Sequence, residues 1–127
     1  MDSTTRLSLL VLYTPRVEDC RRFYADLGLA FTAERHGRGP EHYAAVLPDG
    51  TVLELYPATG ECLSGALRLG LAVDGAAVRP PLAPGRHRLV DPDGRTVEIT
   101  AVEITAVEAP AVEVPAAGWT EGGSAQG

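Results

Sequence analysis

The chain has 127 residues, 45% of them hydrophobic, and a formal net charge of −6. That suits one small domain with a real core and leaves no room for a second, and no apolar run approaches a membrane span. Four of the 17 acids, Glu103, Glu108, Glu113 and Glu121, lie beyond residue 100, leaving 13 acids against 11 arginines in residues 1–100, a near-balance with no basic stripe that argues against a nucleic-acid partner.

Residues 1–5 carry neither a charged nor an apolar leader region, so no secretion signal is expected. Arg6 to Tyr13 reads as a first strand, with Leu9, Val11 and Tyr13 on one face and Leu10 and Leu12 on the other. Thr14 is a candidate helix N-cap with Pro15 at the first helical position, where a missing N–H costs nothing. Val17, Cys20, Phe23, Tyr24 and Leu27 then recur at helical spacing, and Gly28 is the expected stop. Strands follow over Leu29–Glu34, His42–Leu47 and Thr51–Pro57, with a glycine-rich loop at His36–Pro40, so the first half reads β-α-β-β-β.

Two stretches match each other. Pro48-Asp49-Gly50-Thr51-Val52-Leu53-Glu54-Leu55 and Pro92-Asp93-Gly94-Arg95-Thr96-Val97-Glu98-Ile99 each place a hairpin turn before an apolar strand holding one carboxylate. Leu67 to Val73 matches the first strand, Leu9 aligning with Arg68 at an offset of 59, while the turn-and-strand copies align at an offset of 44. The second copy is therefore 15 residues shorter, roughly four helical turns. Its Arg86–Val90 and Arg95–Thr100 strands are intact, whereas its helix and one strand should be vestigial in the proline-rich stretch 74–81. The predicted organisation is one α+β domain over residues 1–100, with modules 6–57 and 67–100. A tail at 101–127 repeats Val-Glu-Ile-Thr-Ala with decay, and its Ala, Pro and Glu composition implies disorder. Losing the second helix should bare Leu69, Leu71, Val73, Val97 and Ile99, which a second subunit, another protein, or the tail with Trp119 would have to cover.

The segment Arg22-Phe23-Tyr24-Ala25-Asp26-Leu27-Gly28-Leu29, the strand Thr51–Tyr56 and Asp91-Pro92-Asp93-Gly94-Arg95-Thr96-Val97-Glu98-Ile99 together resemble the vicinal oxygen chelate superfamily, which includes glyoxalases, extradiol dioxygenases and bleomycin-resistance proteins. The resemblance covers roughly residues 6–100. It implies two βαβββ-type modules forming curved mixed sheets around a cleft, and in metal-dependent members four inward ligands, one on the first and one on the last strand of each module. The last-strand positions here are Glu54 and Glu98; the first-strand positions are Leu9 and Arg68. Leucine has no lone pair and arginine is not a metal ligand, so no metal and no other cofactor is expected unless His87 or another residue completes a site.

The cleft so implied would gather Glu54, Glu98 and Arg68 as polar anchors in a pocket walled by Leu9, Val11, Tyr13, Val52 and Tyr56, the pattern of a small-molecule site. A salt bridge filling a former metal site is the plainer reading of the same three charged residues. Drug-sequestering relatives lack metal and are dimers, so the leading expectation is a non-enzymatic small-molecule binder acting as a homodimer. The alternatives are a lyase, isomerase or dioxygenase-like enzyme using Glu54 or Glu98 as general base, and a degenerate protein-interaction module. His36, His42 and His87 have no helical or strand-alternate pairing and read as surface or packing residues. Cys20 reads as a core residue, Cys62 as a loop thiol without a neighbouring base, and Ser8 and Ser64 lack a nucleophile context. Two cysteines without metal or redox spacing suit a reducing, cytoplasmic setting.

Overall fold

The computed structural model describes residues 4–103; the tail expected from residue 101 begins later, since Ala101 and Val102 close the last strand, and Trp119 with the tail beyond residue 103 lies outside the described residues. Its elements run β1 (Leu9–Thr14), α1 (Val17–Asp26), β2 (Thr32–Glu34), β3 (His42–Val46), β4 (Val52–Pro57), β5 (Arg68–Asp74), β6 (Gly85–Val90) and β7 (Thr96–Val102). The first sheet has the order β1-β4-β3-β2 and the second β5-β7-β6.

The two halves share a register as well as a pattern. β1 runs parallel to β4 with Leu9 opposite Val52, and β5 runs parallel to β7 with Arg68 opposite Thr96, as the offsets of 59 and 44 require. The second module lacks counterparts of α1 and β2; a single 3-10 turn at Gly75–Ala77 stands in the gap. Gly75 is obligatory there, because a Cβ on it would lie 2.3 Å from the Leu82 carbonyl oxygen.

Thr14 acts one step ahead of the helix. Its hydroxyl accepts the Arg16 N–H at 2.9 Å, but Arg16 is the capping residue, its carbonyl accepting the first helical bond from the Cys20 N–H. The far end closes as a Schellman motif: Gly28 N–H donates to Ala25 O, Leu29 N–H to Tyr24 O, and Gly28 takes φ 109°.

Both sheets put their apolar faces into one core. Leu12 of β1 and Leu53 and Leu55 of β4 join Cys20, Tyr24 and Leu27 of α1 and Val73, Val97, Ile99 and Ala101 of the second sheet in a single buried cluster. The exposed patch expected on the second sheet is therefore absent. Val97 and Ile99 are buried and Leu69 and Leu71 pack against the same cluster, because α1 serves both modules: its last carbonyl, Asp26 O, accepts the Arg79 N–H from the shortened crossover.

A buried polar cluster ties α1 to the second Pro-Asp-Gly turn. Asp91 and Arg95 are each 3% exposed. Asp91 Oδ1 accepts the backbone N–H groups of Asp93 and Arg95, both at 2.9 Å. Asp91 Oδ2 accepts the Tyr24 hydroxyl at 2.7 Å and lies 3.0 Å from Arg95 Nε, while Arg95 Nη2 donates to Asp93 at 2.9 Å. Burial alone would work against the Arg95 charge, but Asp91 and Asp93 more than offset it.

Asp91→Ala is expected to cost about 3–5 kcal/mol in denaturant unfolding, since it leaves the buried Arg95 guanidinium with Asp93 alone and strips the Tyr24 hydroxyl and two backbone N–H groups of their acceptor. A second outcome concerns alkaline pH. Burial, then the Asp91 hydrogen bond, pushes the Tyr24 phenol above its ordinary 10.0. A group raised on folding contributes stability that is complete below its unfolded value and is lost as pH rises towards the folded one. Stability should therefore fall above about pH 10, and Tyr24→Phe, while costing about 1–2 kcal/mol at neutral pH, should flatten that alkaline decline.

Candidate functional site

Because the apolar alternate positions of both sheets point to a shared core, the remaining alternates face outward on opposite sides. On the first sheet the outward row places Leu9 beside Val52, Val11 beside Glu54 and Tyr13 beside Tyr56, with Ala44 of β3 on the other flank of Glu54. Leu9, Tyr13 and Val46 are 49%, 40% and 52% exposed, an apolar surface open to water. Rings cross it in series: Tyr13 and Tyr56 have centroids 5.6 Å apart, Tyr56 stacks on His42 at 4.0 Å, and His42 meets His36 at 5.0 Å. Partial desolvation and then the nearby Glu54 carboxylate push the Tyr56 hydroxyl upward. Ser64 caps the free edge of β1, its Oγ accepting the Tyr13 N–H at 2.8 Å and its own N–H donating to Tyr13 O.

The outward row of the second sheet is basic. Arg68 Nη2 lies 2.9 Å and Arg88 Nη2 3.3 Å from the same oxygen of Glu98. A hollow of about 310 Å³ opens there beside Gly70, Ala72, Arg86 and Thr100. These exposed pairs are worth little individually, but they fix where the Glu98 carboxylate points.

The cleft expected within one chain does not form. Glu54 and Glu98 stand on outward faces of two sheets whose inward residues, Leu53 and Leu55 on one side and Val97 and Ile99 on the other, share a core. They cannot act as a coupled pair in one protomer, and Arg68 does not lie between them. The apolar wall of Leu9, Val11, Tyr13, Val52 and Tyr56 accompanies Glu54 alone. The four positions at which the resemblance places a divalent ion do not fit one: Leu9 offers no donor, Arg68 is held by Glu98, and the two carboxylates face apart.

His87 does not replace a missing ligand. It pairs with Ile99, on the core side of β6, and one ring nitrogen lies 2.7 Å from Ala83 O. The other two histidines are not scattered. Glu34 of β2 is the direct cross-strand partner of His42 of β3, and the ligating atoms of Glu34, His36 and His42 all lie within 4.8 Å of one another. A count across the β2–β3 hairpin, with the glycine-rich loop as its connection, would have paired Glu34 with His42 from the sequence; a search for helical or same-strand spacing passes over it.

No protein-family model and no curated protein matches the sequence. Solved structures do match, and all at the level of fold. The chain has the α+β fold of the vicinal oxygen chelate proteins, with a truncated second module. It is similar to the oxidase ChaP-H2 (16% identity, 79% of this chain and 95% of that one, TM-score 0.56). It is also similar to TnmS3, an antibiotic-binding protein from Streptomyces sp. CB03234 (21%, 80% and 98%, TM-score 0.54), and to a possible glyoxalase from Bacillus cereus (15%, 77% and 100%, TM-score 0.53). Structures of this fold thus include enzymes and binding proteins alike. Among the described residues, no helix is long and apolar enough to cross a membrane.

The cysteines divide as the sequence suggests. Cys20 is fully buried, its sulfur 3.5 Å from Thr14 Oγ1 and 3.8 Å from Asp93, and burial pushes its thiol upward. Cys62 is exposed on the turn Gly60–Cys62. Thiolate is the reactive form and needs access, so native protein should take one equivalent of a maleimide or disulfide reagent, Cys62→Ser none, and denatured protein two.

Proposed function

We propose that the chain is a small-molecule-binding protein that sequesters or senses its ligand as a homodimer, the outward face of the first sheet in one protomer being closed by the basic outward face of the second sheet in its partner. The observation that carries this reading is the disposition of the two faces. One is an apolar, ring-lined surface with a carboxylate at its centre, left open to water; the other gathers Arg68, Arg86 and Arg88 about Glu98 and points away from it. A concave apolar wall with a few fixed polar groups is how small-ligand sites are built, and the opposite charge of the second face suits it as a lid.

Glu54 would be the polar anchor, Leu9, Val11 and Val52 the apolar wall, and Tyr13 and Tyr56 the stacking platform. Glu98 and Arg68 would close the pocket from the partner. That arrangement fits a flat aromatic ligand carrying a cationic or donor group opposite Glu54. An enzymatic role for Glu54 as general base is less well supported: an enolate formed beside it needs a free positive group, and the Arg68 that a partner would bring is already paired with Glu98. The reducing, cytoplasmic setting suits a chain whose two thiols are free.

Sedimentation velocity should report a dimer, and a thermal-shift screen of cationic aromatic dyes should yield compounds that raise the melting temperature. Glu54→Gln should weaken such a dye about tenfold or more, because a neutral amide replaces the charged acceptor. A monomer at all concentrations, or dye binding indifferent to Glu54→Gln, would sink the reading.

A further inference from the structure

The structure assigns a second site on the same sheet face, adjoining the Glu54 wall at Tyr56: a divalent transition-metal site formed by Glu34, His36 and His42. Glu34 Oε1 lies 3.4 Å from His42 Nε2 and 3.5 Å from His36 Nε2. Donors about 2 Å from one tetrahedral ion stand roughly 3.4 Å apart, so the carboxylate is already spaced from each imidazole as two ligands of one ion would be. His36 is 70% exposed at its side chain, and its ring is free to swing the remaining distance towards His42.

The state of His42 is the second, independent pointer. Its side chain is 1% exposed, yet Nε2 has no hydrogen-bond partner. Nδ1 lies 3.2 Å from the Pro40 carbonyl. A carbonyl only accepts, so Nδ1 is the donor of that pair and Nε2 is the ring atom left facing Glu34. A buried ring nitrogen that stands opposite a carboxylate without an aligned N–H···O bond is costly to leave unpartnered, and a cation bound to both atoms needs only the spacing observed.

The other contacts are those that orient a metal-binding imidazole. The bond from Nδ1–H to a backbone carbonyl fixes the tautomer, and the stack on Tyr56, with ring planes 11° apart, fixes the plane of His42. Two imidazole nitrogens and one carboxylate oxygen form a donor set suited to zinc and its first-row neighbours, with a fourth position left for water or another ligand. This site uses none of Leu9, Glu54, Arg68 and Glu98, and it does not depend on the dimer or on any organic ligand.

The test uses the full chain, freed of metal with a chelator and dialysed. Calorimetric titration with zinc chloride should find one equivalent bound, and cobalt chloride should give the visible absorption bands of a four-coordinate ion. Glu34→Gln and His36→Ala, both at partly or well exposed side chains, should each weaken zinc at least about tenfold with unchanged circular dichroism. Cys62→Ser should leave the affinity unchanged, which separates this site from the free thiol. His42→Ala risks the fold, so the two exposed variants decide. Zinc that fails to bind, or that binds equally well to His36→Ala and Glu34→Gln, overturns the assignment.

Discussion

One carboxylate holds the two halves of this protein together. Asp91 organises its own turn through two backbone N–H groups, pairs with the buried Arg95, and reaches across to the Tyr24 hydroxyl on the only α-helix among the described residues. Three hydrogen-bond donors and the charge of Arg95 surround one buried group, which is the condition under which a buried ion pair is tolerated. The matching positions in the first half, at the offset of 44, are Leu47 and Thr51, which make an ordinary hairpin: Leu47 N–H bonds Thr51 O and Gly50 N–H bonds Leu47 O. The second half keeps those two backbone bonds between Asp91, Arg95 and Gly94 and adds a polar clamp to α1. The duplicated turn thus became a docking device in one copy and stayed a turn in the other.

That clamp explains how a module without a helix stays folded. A three-stranded sheet with one bare apolar face would leave Val97, Ile99 and Ala101 in water, at about 25 cal/mol per Å². Here Cys20 and Tyr24 of α1 join Leu12, Leu53 and Leu55 of the first sheet and Val97, Ile99 and Ala101 of the second in one buried cluster. Placing the core between the sheets dictates the outer surfaces. Every residue that alternates with a core position is turned outward, so Glu54 and Glu98 face away from each other by the same parity that buries their neighbours. A site built from both carboxylates needs two copies of the chain.

Much of this was legible in the chain. Strand parity, the Gly28 helix stop, the offsets of 59 and 44 and the missing helix all follow from residue spacing, and the paired registers Leu9–Val52 and Arg68–Thr96 bear them out. The direction in which the second module packs was not legible. Alternation says that Val97 and Glu98 lie on opposite faces, but either face could have met the first module. What decides it is Asp91 with Arg95, whose burial is a tertiary property, and whose partner Tyr24 lies 67 residues away. The histidine cluster failed to register for a different reason: its members belong to two strands and a loop, and a hairpin brings them together only once the pairing of Glu34 with His42 is known.

The two halves have therefore diverged in charge as well as in length. On the first sheet Glu54 stands between Val11 and Ala44 with no arginine on its own outward row. Glu34 likewise faces imidazoles rather than a guanidinium. On the second sheet two arginines converge on one oxygen of Glu98. An isolated carboxylate on an apolar, ring-lined surface attracts a positive or donor group, whereas one already paired twice acts mainly to hold its arginines in place. Two carboxylates at matching positions thus stand in different surroundings, Glu54 on an apolar, ring-lined row and Glu98 between two arginines.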